Sequence, residues 1–331
     1  CHYNSSWTYE GQFLHLASQH NDREIRALPH SCVWGYCVFQ MKTSTFQCGL
    51  NMSLRNIRFI IILLSVLFIT GCESHKKSGA KPVVTVTIEP YKYFVESIAG
   101  DKVSVQTLVP QGSNPETYEP TARQMMQLSE SAVYIKVGNL GFERSWMQRI
   151  KDNAPNTVIT DSSKGVKIKK SDDGHNDPHV WMSVKNARII AKNIYEALLS
   201  VSREDSIYLK NRYTTFADKL DLLDKMMDGK LKSAKERPFL IYHPMLTYLS
   251  DDYGLTQISL EQEGSEPSAS QLKDIIAKAK SKRVQVILVQ KEFNNRNVEV
   301  VAKSLGITVR KINPLGYDWY QNMIDISEQL R

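Results

Sequence analysis

The feature that most constrains this fold is an alternation of short β-branched or apolar runs with helical patterns, repeated in two separate series. In the first series, residues 83–88 read as a buried strand, and Pro90 then opens an amphipathic helix that stops near Gly100. Strands at 103–109, 132–137 and 157–159 follow, interleaved with helices at 121–129 and 142–153. The second series begins after Pro238, with strands at 239–242, 255–260, 284–290 and 307–312. Its helices are expected at 246–253, 271–281, 296–305 and 319–330. Consecutive strands separated by helices pair in parallel, and a parallel sheet needs helices over both faces. The expected class is therefore α/β, with two Rossmann-like (β/α) domains built on parallel sheets.

Between the two series lies a stretch of another kind. Residues 203–235 contain no proline and only Gly229, with apolar residues at Ile207, Phe216, Leu220, Leu223, Met227 and Leu231. Spacings of three, four and seven mark one face of a long helix, which at about thirty residues would reach ~45 Å. Two helices broken near Gly229 satisfy the same pattern. The expected division is an N-terminal domain at 82–202, a linker helix at 203–235 and a C-terminal domain at 236–331.

The start of the chain speaks to location. Arg55 and Arg58 precede an apolar run at 59–69, followed by Thr70, Gly71 and Cys72. A cationic segment, an apolar segment and a small residue at the cleavage point form an export signal. Eleven residues of helix span only ~17 Å, too short for a hydrocarbon core of ~30 Å. We read 52–71 as a signal peptide and 72–81 as a polar tether. Residues 1–51 lack sustained periodicity and are read as an upstream translation overrun, outside the mature protein.

All five cysteines lie at or before position 72, so chemistry further along must use His, carboxylates or neutral oxygens. The net charge of +7 is scattered over 331 residues, too dilute to imply nucleic acid. Past Cys72 only His75, His175, His179 and His243 remain. His75 falls in the tether, and His175 in a polar loop with Asp172 and Asp173, where solvation is the ordinary reading. His179 follows Asp177 and Pro178, whose fixed φ stiffens the backbone that enters it. From that segment alone, a metal ligand and a half-buried packing residue are equally good readings. His243 ends the strand 239–242 and precedes Pro244, placing it at the carboxyl edge of a parallel sheet, where α/β proteins bind ligands. The loop 110–120 also follows a strand and offers Glu116 and Glu119. Two such loops across a cleft would assemble a His/carboxylate site suited to zinc or manganese.

In order, the chain carries Gly112-Ser-Asn-Pro-Glu-Thr-Tyr-Glu-Pro120, Asp177-Pro-His-Val-Trp181, Tyr242-His-Pro244 with Tyr253-Gly-Leu255, Glu266-Pro-Ser268 and Ile312-Asn-Pro-Leu315. Together these motifs resemble the metal-binding lipoproteins of bacterial zinc and manganese ABC importers, the cluster A-I solute-binding proteins. The run Ile69-Thr-Gly-Cys72 likewise resembles the lipobox of bacterial lipoproteins, which implies cleavage before Cys72 and lipidation of its sulfur. The resemblance implies two (β/α) domains joined by one long rigid helix, with the metal in the cleft between them. It also implies an exported, membrane-anchored monomer that delivers its ion to an ABC permease and is not an enzyme. Carried over by position, His179 and His243 fall on two ligand positions, and Glu116 falls where the family usually has a histidine. Asn313 stands where some members use an aspartate as fourth ligand. Water, Asn313, Glu292 and Glu263 are the options there.

The expected cargo is Zn2+, favoured by two imidazoles, with Mn2+ as the alternative. Since imidazoles must be neutral to bind, affinity is expected to fall as pH drops through the ordinary histidine range near ~6.5. Two rivals remain open: a zinc hydrolase, which would use the same donor types but lacks a His-Glu-x-x-His element here, and a surface adhesin of the same fold.

Overall fold

A computed structural model describes residues 81–331 apart from 172–173, 262–263 and 294–295. The expected overrun, export signal, Cys72 and the tether up to Ala80, with Asp172, Asp173 and Glu263, lie outside the described residues.

The first series forms β1 (Val83–Val86), α1 (Glu89–Ala99), β2 (Ser104–Thr107), α2 (Ala122–Ser129), β3 (Val133–Lys136), α3 (Gly141–Asn153) and β4 (Val158–Asp161). After a loop and a 3-10 turn at Val180–Met182 come α4 (Val184–Val201) and the long helix α5 (Ser206–Leu231). The second series is β5 (Phe239–Ile241), α6 (Thr247–Tyr253), β6 (Gln257–Ser259), α7 (Ala269–Ser281), β7 (Val286–Gln290), α8 (Arg296–Leu305), β8 (Thr308–Ile312) and α9 (Trp319–Gln329). Each series makes one four-stranded sheet, in the orders β2-β1-β3-β4 and β6-β5-β7-β8. Every strand pair is parallel. The strand order is therefore the same in both halves, and each sheet reverses direction of growth next to its first strand, where α/β folds open a crevice.

The long helix runs 26 residues without a break, about 39 Å, straight through Gly229. A glycine in a helix interior costs about 1 kcal/mol, and burial of Leu220, Leu223, Met227 and Leu231 on one face offsets it. That face begins at Leu209 and not, as the sequence pattern suggested, at Ile207, which is 78% exposed. The helix packs against α1, α4 and α9, so it touches both halves. Gly100 ends α1 with positive φ, and a Cβ there would meet the Tyr208 hydroxyl of α5 at 2.3 Å. The bare Cα lets the two helices close up.

One apolar core runs through the molecule. It joins Val84, Phe94 and Ile135 of the first half to Leu220 and Leu223 of α5 and to Phe239, Ile241, Leu288 and Trp319 of the second. Residues of opposite parity on the same strands, Leu240, Ile287 and Val289, turn to a second cluster with Ile275 and Val301. Two-residue periodicity thus splits the second sheet between a shared core and one of its own. Trp181 and Trp319 tie the halves further: Trp319 Nε1 donates to the Trp181 carbonyl at 2.8 Å, and Trp181 Nε1 to the Pro314 carbonyl at 3.1 Å. Each buried indole N–H is satisfied by the partner chain segment, as burial of such a ring requires.

Candidate metal centre

A cavity of about 610 Å³ opens at the carboxyl edges of the two sheets, lined by Glu116, Asp177, His179, His243, Glu261 and Phe293, among others. Three of these come from the first half and three from the second.

His179 is held from several sides. Asp177 Oδ1 accepts from both the His179 backbone N–H at 2.9 Å and its ring Nδ1 at 2.8 Å. The Tyr248 hydroxyl, from α6, donates to the Asp177 carbonyl at 2.9 Å and accepts from the Lys169 amide at 3.0 Å. Trp181 lies against the imidazole, with ring centroids 5.3 Å apart. Burial raises the Asp177 carboxyl, but attraction to His179 and hydrogen bonds from His179 and Thr247 outweigh it and hold the group below its ordinary value. Desolvation pushes the Tyr248 phenol up to about 12, so it stays a donor.

His243 is held in the same manner. Its Nδ1 lies 2.5 Å from Glu261 Oε2. The fully buried Gln290 side chain bonds both the His243 amide and its carbonyl, and Phe293 stacks on the ring at 5.5 Å with an interplanar angle of 26°. Gln290 ends β7 and Glu261 follows β6, the two neighbours of β5, so the parallel register itself delivers these partners to His243.

The consequence lies on the far side of each ring. An ionised carboxylate only accepts, so in a neutral ring Nδ1 carries the proton and Nε2 presents a lone pair. The two Nε2 atoms face one another at 3.2 Å. Two lone pairs at that distance repel unless something positive stands between them. With Zn–N bonds of about 2.0–2.1 Å, tetrahedral geometry separates two nitrogen ligands by roughly 3.3 Å, close to the spacing seen here. Carboxylates that orient imidazoles in this way are a recurring support of metal sites.

Glu116 approaches differently. Its backbone amide bonds Asn114 Oδ1 at 2.9 Å, an Asx turn that shapes the loop after β2. Oε2 accepts from the Gly141 N–H, at the start of α3, at 2.8 Å. Oε1 is buried and has no hydrogen-bond partner. Among the described residues, no three His, Cys, Asp or Glu side chains converge closely enough to hold an ion together. The structure thus brings the two imidazoles to bonding range of one point and leaves Glu116 on the wall of the same cavity.

The other candidates stand elsewhere. The cavity lining includes neither Asn313 nor Glu292. The Asn313 carbonyl closes a turn with the Gly316 amide at 3.2 Å. Glu292 has one buried oxygen without a partner, and burial raises its pKa. His175 lines the cavity, whereas Glu119 is exposed. Sequence reasoning passed over Asp177 and Glu261 as partners of the imidazoles. Asp177 was visible two residues before His179 but read only for its backbone; Glu261 was signalled by its place after a strand at the same sheet edge.

Residues 84–331 match the protein family described as ZnuA, zinc-uptake complex component A, periplasmic. The chain belongs to this family. It is 24% identical over 280 residues to the zinc-binding lipoprotein AdcA of Streptococcus pneumoniae serotype 4, covering 79% of this chain and 56% of the relative. It is 28% identical over 269 residues to the manganese ABC transporter substrate-binding lipoprotein PsaA of Streptococcus mitis, covering 75% of this chain and 86% of that one. A crystal structure of ZnuA superposes with a TM-score of 0.73 at 32% identity, covering 76% of this chain and 98% of that chain. The chain therefore spans little more than half the length of AdcA but most of PsaA and ZnuA. The ZnuA family comprises substrate-binding components of metal importers and is not an enzyme family, and its relatives include both zinc and manganese binders. Among the described residues, no helix is long and apolar enough to cross a membrane.

Proposed function

We propose that this chain is an extracytoplasmic solute-binding lipoprotein, anchored through Cys72, that captures one divalent transition metal ion and passes it to an ABC permease. Zinc is the first choice of cargo. His179, His243 and Glu116 are its ligands, with water completing four-coordination. The observation that carries this reading is the pair of Nε2 atoms 3.2 Å apart, each ring fixed by a carboxylate at Nδ1. Two neutral imidazoles and one carboxylate form a donor set typical of zinc, while the carboxylate keeps manganese within reach. Because the donors come from both halves, the ion is expected to stabilise the fold by mass action. The shared core and the indole bonds of Trp181 to Pro314 and of Trp319 to Trp181 make wide hinge opening costly, so small tilts and loop movements are the expected response to binding. The protein binds its ion without turnover and acts as a monomer.

The test is elemental analysis and competition binding on the chain from residue 73 onward. One zinc per chain, held more tightly than manganese and lost on His179→Ala with His243→Ala, is the expected result. Full-strength uptake by that double variant would remove the ligand assignment. Chelator-sensitive hydrolysis of peptides or esters would remove the assignment as a binding protein.

A further inference from the structure

The unequal treatment of the two Glu116 oxygens has its origin in Gly141. This residue opens α3, and its N–H is one of the amides that a helix start leaves without an internal partner. Here that amide is spent on Glu116 Oε2 at 2.8 Å, and the next amide, of Phe142, bonds the Pro115 carbonyl at 3.3 Å. The approach is possible only because residue 141 has no side chain. A Cβ would stand 2.4 Å from the Glu116 carbonyl oxygen and 2.7 Å from Oε2. The helix start is in turn anchored by buried Glu143, which accepts from the Val137 and Gly138 amides and the Thr87 hydroxyl, each at 2.6 Å. The helix end is therefore fixed independently of Glu116. Glu116 Oε1, meanwhile, is buried, unpartnered and part of a residue on the cavity wall. A carboxylate oxygen is not normally left so without an explanation.

We propose that Gly141 is a positioning residue: its amide holds Glu116 Oε2 so that only Oε1 can grip the ion, and this one-oxygen grip biases the site toward zinc over manganese. The inference rests on the metal-binding reading above and deepens it. A carboxylate free to turn can bind through both oxygens, which raises the coordination number. Zn2+ in His/carboxylate sites is satisfied with four donors, whereas Mn2+ favours six, largely oxygen. Two imidazoles at tetrahedral spacing, one carboxylate oxygen and one water suit the first ion and underserve the second. The helix start also adds positive potential beside Oε2, which favours keeping that oxygen where it is.

The experiment measures zinc and manganese affinities by chelator competition on wild type and Gly141→Ala, using the chain from residue 73 onward. The expected result is zinc binding weakened at least tenfold with manganese changed less, so that the zinc-to-manganese ratio contracts. An equal change for both ions, or none, overturns the proposal. Because the added methyl also crowds backbone, a second measurement uses unmodified protein: exchange of the Gly141 amide followed by NMR without metal and with zinc. Equal protection in both states supports the clamp. Release of that amide on zinc loading overturns it, since both oxygens would then have turned to the ion. Absence of zinc binding by wild type would instead remove the reading beneath, a distinguishable failure.

Discussion

The histidine pair and Glu116 reach the cleft by opposite means. Each imidazole has its rear nitrogen on a carboxylate and a neighbouring aromatic ring against its face, so its donor atom already points at the common locus. Glu116 sits on a loop after β2, with one oxygen on a helix amide and the other without a partner. Under the proposed ligand set the pair is placed before an ion arrives, while Glu116 keeps one oxygen on the helix start and leaves the other to the ion. Under that ligand set affinity and selection would be divided: the imidazoles supply a rigid base, and the glutamate, held at one oxygen, limits the coordination number.

This contrast can be broken most directly by removing an imidazole. His179→Ala or His243→Ala is expected to weaken zinc binding by at least about a thousandfold, roughly 4 kcal/mol, measured by chelator competition. A loss under tenfold in both would mean that the prepared pair is not the base of the site. Glu116→Gln comes next, with a loss of about a hundredfold, because the amide must still accept from Gly141 and so turns its NH2 toward the ion.

The supports should matter less than the ligands they hold. Asp177→Asn and Glu261→Gln are each expected to cost about 10–100-fold in zinc affinity, the usual range for partners of metal-bound imidazoles. If calorimetry shows either variant binding as tightly as wild type, the rings are oriented by packing alone. Asp177 also carries an acid signature. Its folded pKa lies below the ordinary 3.8, so its stabilising contribution is full above that value and drains away as pH falls through the folded value. Thermal unfolding of metal-free protein between pH 5 and 2 should show a smaller acid-induced loss in Asp177→Asn than in the parent chain.

The smallest effect on metal is expected at a residue outside the cavity lining. Trp319→Phe removes the bond to the Trp181 carbonyl and leaves a buried acceptor, which costs about 1–3 kcal/mol of stability. Zinc affinity should move by less than about threefold. A larger drop would show that the lock between the halves, and not the local carboxylates, sets the spacing of the imidazoles.

Much of this was legible in the sequence because the signals are local. Strands 83–86 and 239–241 announce themselves by β-branched and apolar composition, and α5 by its three-and-four spacing. The prolines beside His179 and His243 mark loops at strand ends, where an α/β sheet presents its ligands. The register of α5 was less clear, since Ile207 fits the pattern as well as Leu209 and only packing chose between them.

What the sequence determined by itself was the alternation that makes two parallel sheets, the absence of cysteine past position 72 and the donor types available to a site. Tertiary structure alone decided that His179 and His243, 64 positions apart, put their Nε2 atoms 3.2 Å from each other. It also chose Asp177 and Glu261 as their partners and gave Glu116 to the start of α3. The physical reason is range: periodicity and turn chemistry act over a few residues and can be read along the chain, whereas hydrogen bonds between loops depend on strand register and on how two halves share one core.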